Sequence, residues 1–368
     1  MGFNCGIVGL PNVGKSTLFN ALTATVAAAA ANYPFCTIEP NTGKVIVPDE
    51  TLHKLAAVAK SVKIIPTQLE IVDIAGLVRG ASSGEGLGNK FLGHIAATDA
   101  IIHMVRCYEN PDIVHVSGKI DPLSDIDTID TELMLADLES LDKQMKNLEK
   151  RVHGLDKEAV KLLAIAKEIK AGLENSVPAR NTIEDKSEIR NQKSEISFNL
   201  LTEKPVLYVC NVDEASAASG NAFSRAVAEK YGATAPVLVI SAKIEEDIAQ
   251  ITDASERAEF LLELGLSDSG LDRVIRAGYK LLGLQEFYTV GPKEAHAWTV
   301  RAGSTAPQAA GKIHTDFERG FIRAEIMRPE DMLALGSELA VKEAGKIRTV
   351  GRDYIMQPGD ICHFLFNN

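Results

Sequence analysis

The sequence predicts an α/β fold: a doubly wound, mostly parallel sheet with an inserted antiparallel coiled-coil hairpin and a C-terminal β-grasp module. Three observations carry that expectation. Short apolar runs near 3–8, 44–47, 68–73, 100–106, 205–211 and 236–240 alternate with helix-forming stretches, the pattern of strands covered on both faces. Apolar residues recur at alternating spacings of four and three between 128 and 200. From about 284 the chain turns to short strands mixed with short helices. The domain ranges expected from this are 1–127 with 201–283 for the sheet domain, 128–200 for the helical arm and 284–368 for the last module.

The first strand leads into Gly9-Leu10-Pro11-Asn12-Val13-Gly14-Lys15-Ser16 and Thr17, followed by a helix-forming run. This is G-x-x-x-x-G-K-[ST] in the strand–loop–helix context that the motif needs. The glycines let the backbone curl until its N–H groups point at phosphate oxygens. Asn12, Val13, Gly14, Lys15, Ser16 and Thr17 are therefore the expected cradle of a nucleoside triphosphate. Lys15 is placed to reach the β- and γ-phosphates, Ser16 to ligate Mg²⁺, and the helix N-terminus to add its positive end.

Asp73 closes the apolar run of the strand near 68–73, where a carboxylate beside a phosphate loop joins the Mg²⁺ shell. Gly76, in Asp73-Ile74-Ala75-Gly76, can offer its N–H to a γ-phosphate and swing when that group leaves. Thr37 lies between loop and strand. Taken alone it reads as an ordinary loop hydroxyl; in order with the loop and Asp73-x-x-Gly76 it reads as a metal ligand present only with the γ-phosphate. Leu77 stands where Ras-like enzymes carry a water-orienting glutamine, so intrinsic turnover should be slow. His115 is the candidate for approaching the γ-phosphate; the competing reading is a histidine packed within Ile113-Val114-His115-Val116.

The base-reading end is less regular. The strand near 205–211 ends in Asn211-Val212-Asp213-Glu214, where guanine readers show N-K-x-D. Val212 replaces the lysine whose stem covers the base, and Glu214 displaces the carboxylate by one methylene, so guanine selectivity should weaken. Ser241-Ala242-Lys243, after the strand near 236–240, looks like a guanine-loop sequence. These residues leave the purine open.

Four segments together resemble the YchF-type, Obg-related P-loop ATPases: the loop at 9–16, Asn32-Tyr33-Pro34-Phe35-Cys36-Thr37-Ile38-Glu39-Pro40-Asn41, Asp73-Ile74-Ala75-Gly76-Leu77, and His314-Thr315-Asp316-Phe317-Glu318-Arg319-Gly320-Phe321-Ile322. The resemblance runs over the whole chain. It implies an ATP-preferring, ribosome-binding protein in a mainly GTP-using class, with the ribosomal large subunit as the expected partner. It also implies base reading through Asn211 and Glu214 with backbone help from Val212, and a hydrophobic residue at Leu77. The Ser241-Ala242-Lys243 triplet departs from the family expectation, which keeps GTP as a second substrate. The last module resembles a TGS domain, which implies RNA or ribosome contact; His314, Arg319, Arg323 and Arg328 are its candidate basic patch, with scattered surface charge as the alternative.

Composition bounds the rest. The chain has 368 residues with 39 Lys+Arg against 50 Asp+Glu, a formal charge of −11. Net charge therefore gives no reason for RNA binding, and any RNA contact has to be local. The five cysteines form no C-x-x-C pair and sit mostly in apolar runs, as expected of buried thiols in a reducing cytoplasm. No signal peptide and no membrane-length apolar run is expected. In the arm, Met134, Leu138, Leu141, Met145, Leu148 and Val152 form one seam and Ala159, Leu162, Ala166, Ile169 and Leu173 the other, joined by a turn at Gly154. The reading of the whole is a Mg²⁺-dependent ATPase whose nucleotide state controls a ribosomal partner. Its rivals are a GTP-specific switch and a module that holds nucleotide without hydrolysing it.

Overall fold

The computed structural model describes residues 3–30, 38–39, 41–74, 87–185 and 197–367. The described chain divides into two compact units. One holds the described residues up to Ala28, 38–39, 41–43 and Glu70–Val274; the other holds 29–30, Lys44–Leu69 and the described chain from Ile275 on. These units cut across the three ranges expected from sequence, because 44–69 groups with the C-terminal residues.

The first sheet contains β1 (Asn4–Val8), β2 (Ile38–Glu39), β3 (Thr42–Ile46), β5 (Gln68–Asp73), β6 (Ala100–Arg106), β7 (Val206–Asn211) and β8 (Val237–Ile240), with β4 (Lys63–Ile65) assigned to the second sheet. Its order is β2-β3-β5-β1-β6-β7-β8. β1 runs parallel to β5 and β6, β6 to β7, and β7 to β8; the short β2 pairs antiparallel with β3, and the bonds from the Asp73 N–H to the Asn41 carbonyl and from the Val47 N–H to the Thr67 carbonyl run β3 antiparallel to β5. Every residue of β6 and of β7 is buried, as strands covered on both faces must be. β5 lies on one side of β1 and β6 on the other. The strand order reverses there, and ligands of such sheets bind beyond the carboxyl ends at that switch.

Helix α1 (Lys15–Ala30) follows β1, α2 (Glu50–Ala59) precedes β4, and α3 (Leu87–Ala96) precedes β6. The arm is α4 (Pro122–His153) and α5 (Lys157–Glu174). Asp121 caps α4 by accepting from the Ser124 N–H, with Pro122 in the first turn, where its missing N–H costs nothing. Asp156 caps α5 through the N–H groups of Glu158 and Ala159. All eleven seam residues expected from the heptads pack in one cluster. The arm root holds more than the heptads indicated. After the second seam comes α6 (Ala179–Asp185), whose Ala179 and Ile183 join that cluster with Phe198 and Leu200. The Asp137 carboxylate accepts from the N–H groups of Leu201 and Thr202 and from the Thr202 hydroxyl at 2.6–2.7 Å, tying α4 to the entry of β7.

The second sheet adds β9 (Leu284–Val290), β10 (Glu294–Arg301), β11 (Phe321–Met327), β12 (Arg348–Val350) and β13 (Ile361–Phe366), in the order β12-β11-β13-β9-β10-β4. An antiparallel β9–β10 hairpin, the helix Ala306–Ile313, and β13 running parallel to β9 give the β-grasp arrangement. β12 stops at Val350. Beyond it the Tyr354 carbonyl and the Met356 N–H pair with Ala306 and Ser304, at the start of that helix, so they cannot extend the ladder. On the other face, Leu52, Leu55 and Ala56 of α2 pack with Tyr288, Ala297 and Met332. That packing is why 44–69 belongs to this unit.

Candidate nucleotide site

The loop between β1 and α1 bends at Asn12, with φ +63°, and at Gly14, with φ +100°. A Cβ on Gly14 would lie 2.5 Å from Asn211 Nδ2 and would also have to adopt a left-handed backbone, so this position requires glycine. Lys15 is buried, and its ammonium donates to the carbonyls of Gly9 at 3.0 Å and Leu10 at 2.8 Å. Two of its three donors thus brace the loop and one remains for an anion. Ser16 is exposed at the start of α1, where unpaired N–H groups and the helix dipole favour negative charge.

Ser16 and Asp73 line one cleft of about 590 Å³, together with Asn41, Thr42 and His94. Burial pushes the Asp73 carboxyl above its usual range against the pull of Lys15, and burial pushes the Lys15 ammonium below its own range against the pull of Asp73. Asp73 Oδ1 is buried and receives no hydrogen bond. A carboxylate oxygen left so beside an exposed serine hydroxyl is the donor set that a hard divalent cation takes. Thr37 and Gly76, the other expected metal and phosphate residues, lie outside the described residues, as do Cys36 and Leu77.

The base end opens into a second cleft of about 580 Å³, lined by Gly14, Thr17, Tyr108, Asn110, Val212, Glu214, Ser241 and Ala242 among others. Asn211, expected to read the base, also binds protein: Nδ2 donates one N–H to the Val13 carbonyl and Oδ1 accepts from the Ala242 N–H, both at 2.9 Å, which leaves one N–H of Nδ2 for a ligand. It clamps the phosphate loop to the Ser241-Ala242 turn. Val212, expected to help with the base through its backbone, donates its N–H to the Ile240 carbonyl at 2.8 Å and is 2% exposed, so its carbonyl is the backbone group left for that role. Asp213 accepts from the Ser216 N–H and caps the short helical turn Glu214–Ser216, and the exposed Glu214 lines the cleft together with the carboxylate residues Glu109, Asp213 and Glu246. Lys243 pairs with Glu246 and Asp247 on its own helix.

His115, the expected catalytic histidine, is held elsewhere. Ser117 N–H donates to Nδ1, which places the ring proton on Nε2, facing Asp125 of α4 at 2.9 Å. Both ring nitrogens are engaged and the side chain is buried, so the packed reading is the one the geometry favours. The neighbouring Val114 carbonyl accepts from Asn12 Nδ2, a contact across 102 residues that no local motif announces.

Comparison with known proteins bears directly on this site. Residues 4–153 match the family described as a 50S ribosome-binding GTPase, and residues 284–367 match the YchF GTPase C-terminal family, described as a protein of unknown function. The chain is 56% identical to the "Ribosome-binding ATPase YchF" of Haemophilus influenzae and 50% identical to that of Bacillus subtilis, in each case over the whole of both chains. The solved structure of the Schizosaccharomyces pombe YchF GTPase superposes with a TM-score of 0.87 at 37% identity, covering 99% of this chain and 98% of that one. Full-length identity at this level, on a fold that gathers Lys15, Ser16 and Asp73 at the strand ends, leaves one assignment: the chain belongs to the YchF family of P-loop ATPases.

Proposed function

We propose that this protein is a Mg²⁺-dependent ATPase of slow intrinsic turnover, acting in the cytoplasm as a nucleotide-dependent switch that binds the ribosome at its large subunit. The observation that carries the hydrolytic reading is the buried, unpaired Asp73 Oδ1 in the same cleft as Ser16, below a phosphate loop braced by Lys15. Ser16 and Asp73 would hold the cation, which would supply positive charge against the phosphates during transfer. Lys15 binds the same phosphates and orients them, while the N-terminus of α1 adds its dipole. Thr37 and Gly76 are proposed as the residues that sense the γ-phosphate, from their order along the chain. Leu77 can neither donate to nor accept from a water, which supports slow turnover.

ATP is favoured over GTP because Val212 and Glu214 stand where a guanine reader carries lysine and aspartate. GTP remains a second substrate because of Ser241-Ala242-Lys243. The ribosome is the partner named for the relatives, and the description of the matching family supports the large subunit as the contact. We assign nucleotide chemistry to 1–127 and 201–283, partner contact to the arm at 128–200 and the module at 284–368, and a local RNA contact to the latter. Titration calorimetry with ATP and GTP, with and without Mg²⁺, tests the reading. Tighter binding of ATP, dependent on Mg²⁺, supports it; a tenfold preference for GTP, about 1.4 kcal/mol, contradicts it.

A further inference from the structure

The base cleft has a second wall that no motif marks. Tyr108, Glu109, Asn110 and Ile113, in the irregular segment between β6 and α4, line the same cleft as Val212 and Glu214. Irregular backbone at a binding site keeps its shape only if its carbonyls are tied. The tie is Arg106, the last residue of β6, which is 1% exposed. Its Nε donates to the Tyr108 carbonyl at 3.1 Å, Nη1 to the Ile113 carbonyl at 3.0 Å and Nη2 to the Asn110 carbonyl at 3.1 Å. The guanidinium carbon lies 4.8 Å from the Tyr108 ring centroid.

A buried cation is costly unless its donors are met. Three carbonyls from one short segment meet this one, so the loop fixes the charge and the charge fixes the loop. Lysine also has three donors, but they diverge from a single atom, so it lacks the planar fork that matches these three carbonyls. Arg106 also pairs with Asn211 in the β6–β7 register, so the residues that set the two sides of the cleft are neighbours. An Asx turn helps: Asn110 Oδ1 accepts from the Asp112 N–H at 2.9 Å.

We propose that Arg106 is a positioning residue for the nucleotide base. It holds 108–113 as the second wall of the base cleft, and so sets the share of affinity that the base contributes without altering the phosphate share. The proposal rests on the reading that the purine lies in this cleft. The test measures binding of ATP and of inorganic tripolyphosphate, each with Mg²⁺, to the full chain and to Arg106→Lys, Asn110→Ala and Glu214→Ala. Asn110 is half-buried and outside the core, so its variant loosens the same wall without threatening the fold. Arg106→Lys and Asn110→Ala should each weaken ATP by about tenfold and leave tripolyphosphate within about twofold. A parallel loss of both ligands, or unchanged ATP affinity in the folded variants, overturns the proposal. If Glu214→Ala weakens ATP while the other two do not, only the role of Arg106 fails; if none of the three changes ATP affinity, the base does not lie in this cleft and the reading beneath the proposal fails as well.

Discussion

Lys15 and Asp73 oppose each other across the phosphate site, and each is held in its less comfortable charge state. Burial raises the Asp73 pKa above 3.8. A group raised in the fold gives its stability in full below the unfolded value and loses it as pH rises through the folded one. Burial lowers the Lys15 pKa below 10.5, so its contribution is present above that value and is lost as pH falls through the folded one. Near neutral pH both ions therefore weigh against the nucleotide-free fold. Asp73→Asn should raise the thermal midpoint of the nucleotide-free protein while weakening Mg²⁺–ATP by roughly tenfold or more. Thermal melts and a Mg²⁺ titration check this, and a lower midpoint would show that Asp73 is mainly structural. Metal-dependent binding should also fade on acidification from above pH 3.8, as Asp73 takes up its proton. Lys15, Ser16 and Asp73 were legible because a phosphate loop and a strand end are local patterns. The clamp that Asn211 makes was not legible, because its partners, Val13 and Ala242, lie 198 and 31 residues away, and side-chain spacing says nothing about which amide end meets which loop.

Among the elements, the arm was the most legible, since a heptad seam depends only on neighbours along the helix. Leu141 is fully buried in it. Leu141→Ala should cost about 2–5 kcal/mol of local stability. Hydrogen exchange would report faster opening of α4 and α5, with ATP affinity unchanged; protection equal to the unmodified protein would mean that the seam does not stabilise the arm. The parallel strands were also readable as continuous apolar runs. β4 and α2 were not, because their burial is decided by β10 and Tyr288, more than 200 residues further on. The early end of β12 has the same origin: backbone pairing with Ala306 and Ser304 outweighs the strand propensity of the sequence.

At the scale of the molecule, a charge of −11 is set against a proposed ribosomal partner. A local contact releases few counterions, so ribosome binding should weaken with salt less steeply than for a strongly basic protein. The structure narrows the candidate patch. Arg328 donates to the fully buried Asp360 at 2.9 Å, and His314 lies 3.4 Å from Asp316. Arg328 is therefore a fold residue, and its reversal would unfold rather than inform. Arg319 and Arg323 remain exposed. Reversing both should reduce co-sedimentation with ribosomes and leave ATP affinity intact; undiminished pelleting would move the contact to the arm.

Hydrolysis at the phosphate loop is tested most directly by phosphate release from ATP by the full chain beside its Lys15→Ala variant, each with and without ribosomes. Slow Mg²⁺-dependent release by the unmodified chain, well below the 1–100 s⁻¹ typical of kinases, and a loss on the order of a hundredfold or more in a folded Lys15→Ala protein, is the predicted result. Equal release by both proteins, or none by the unmodified chain in either condition, would contradict it.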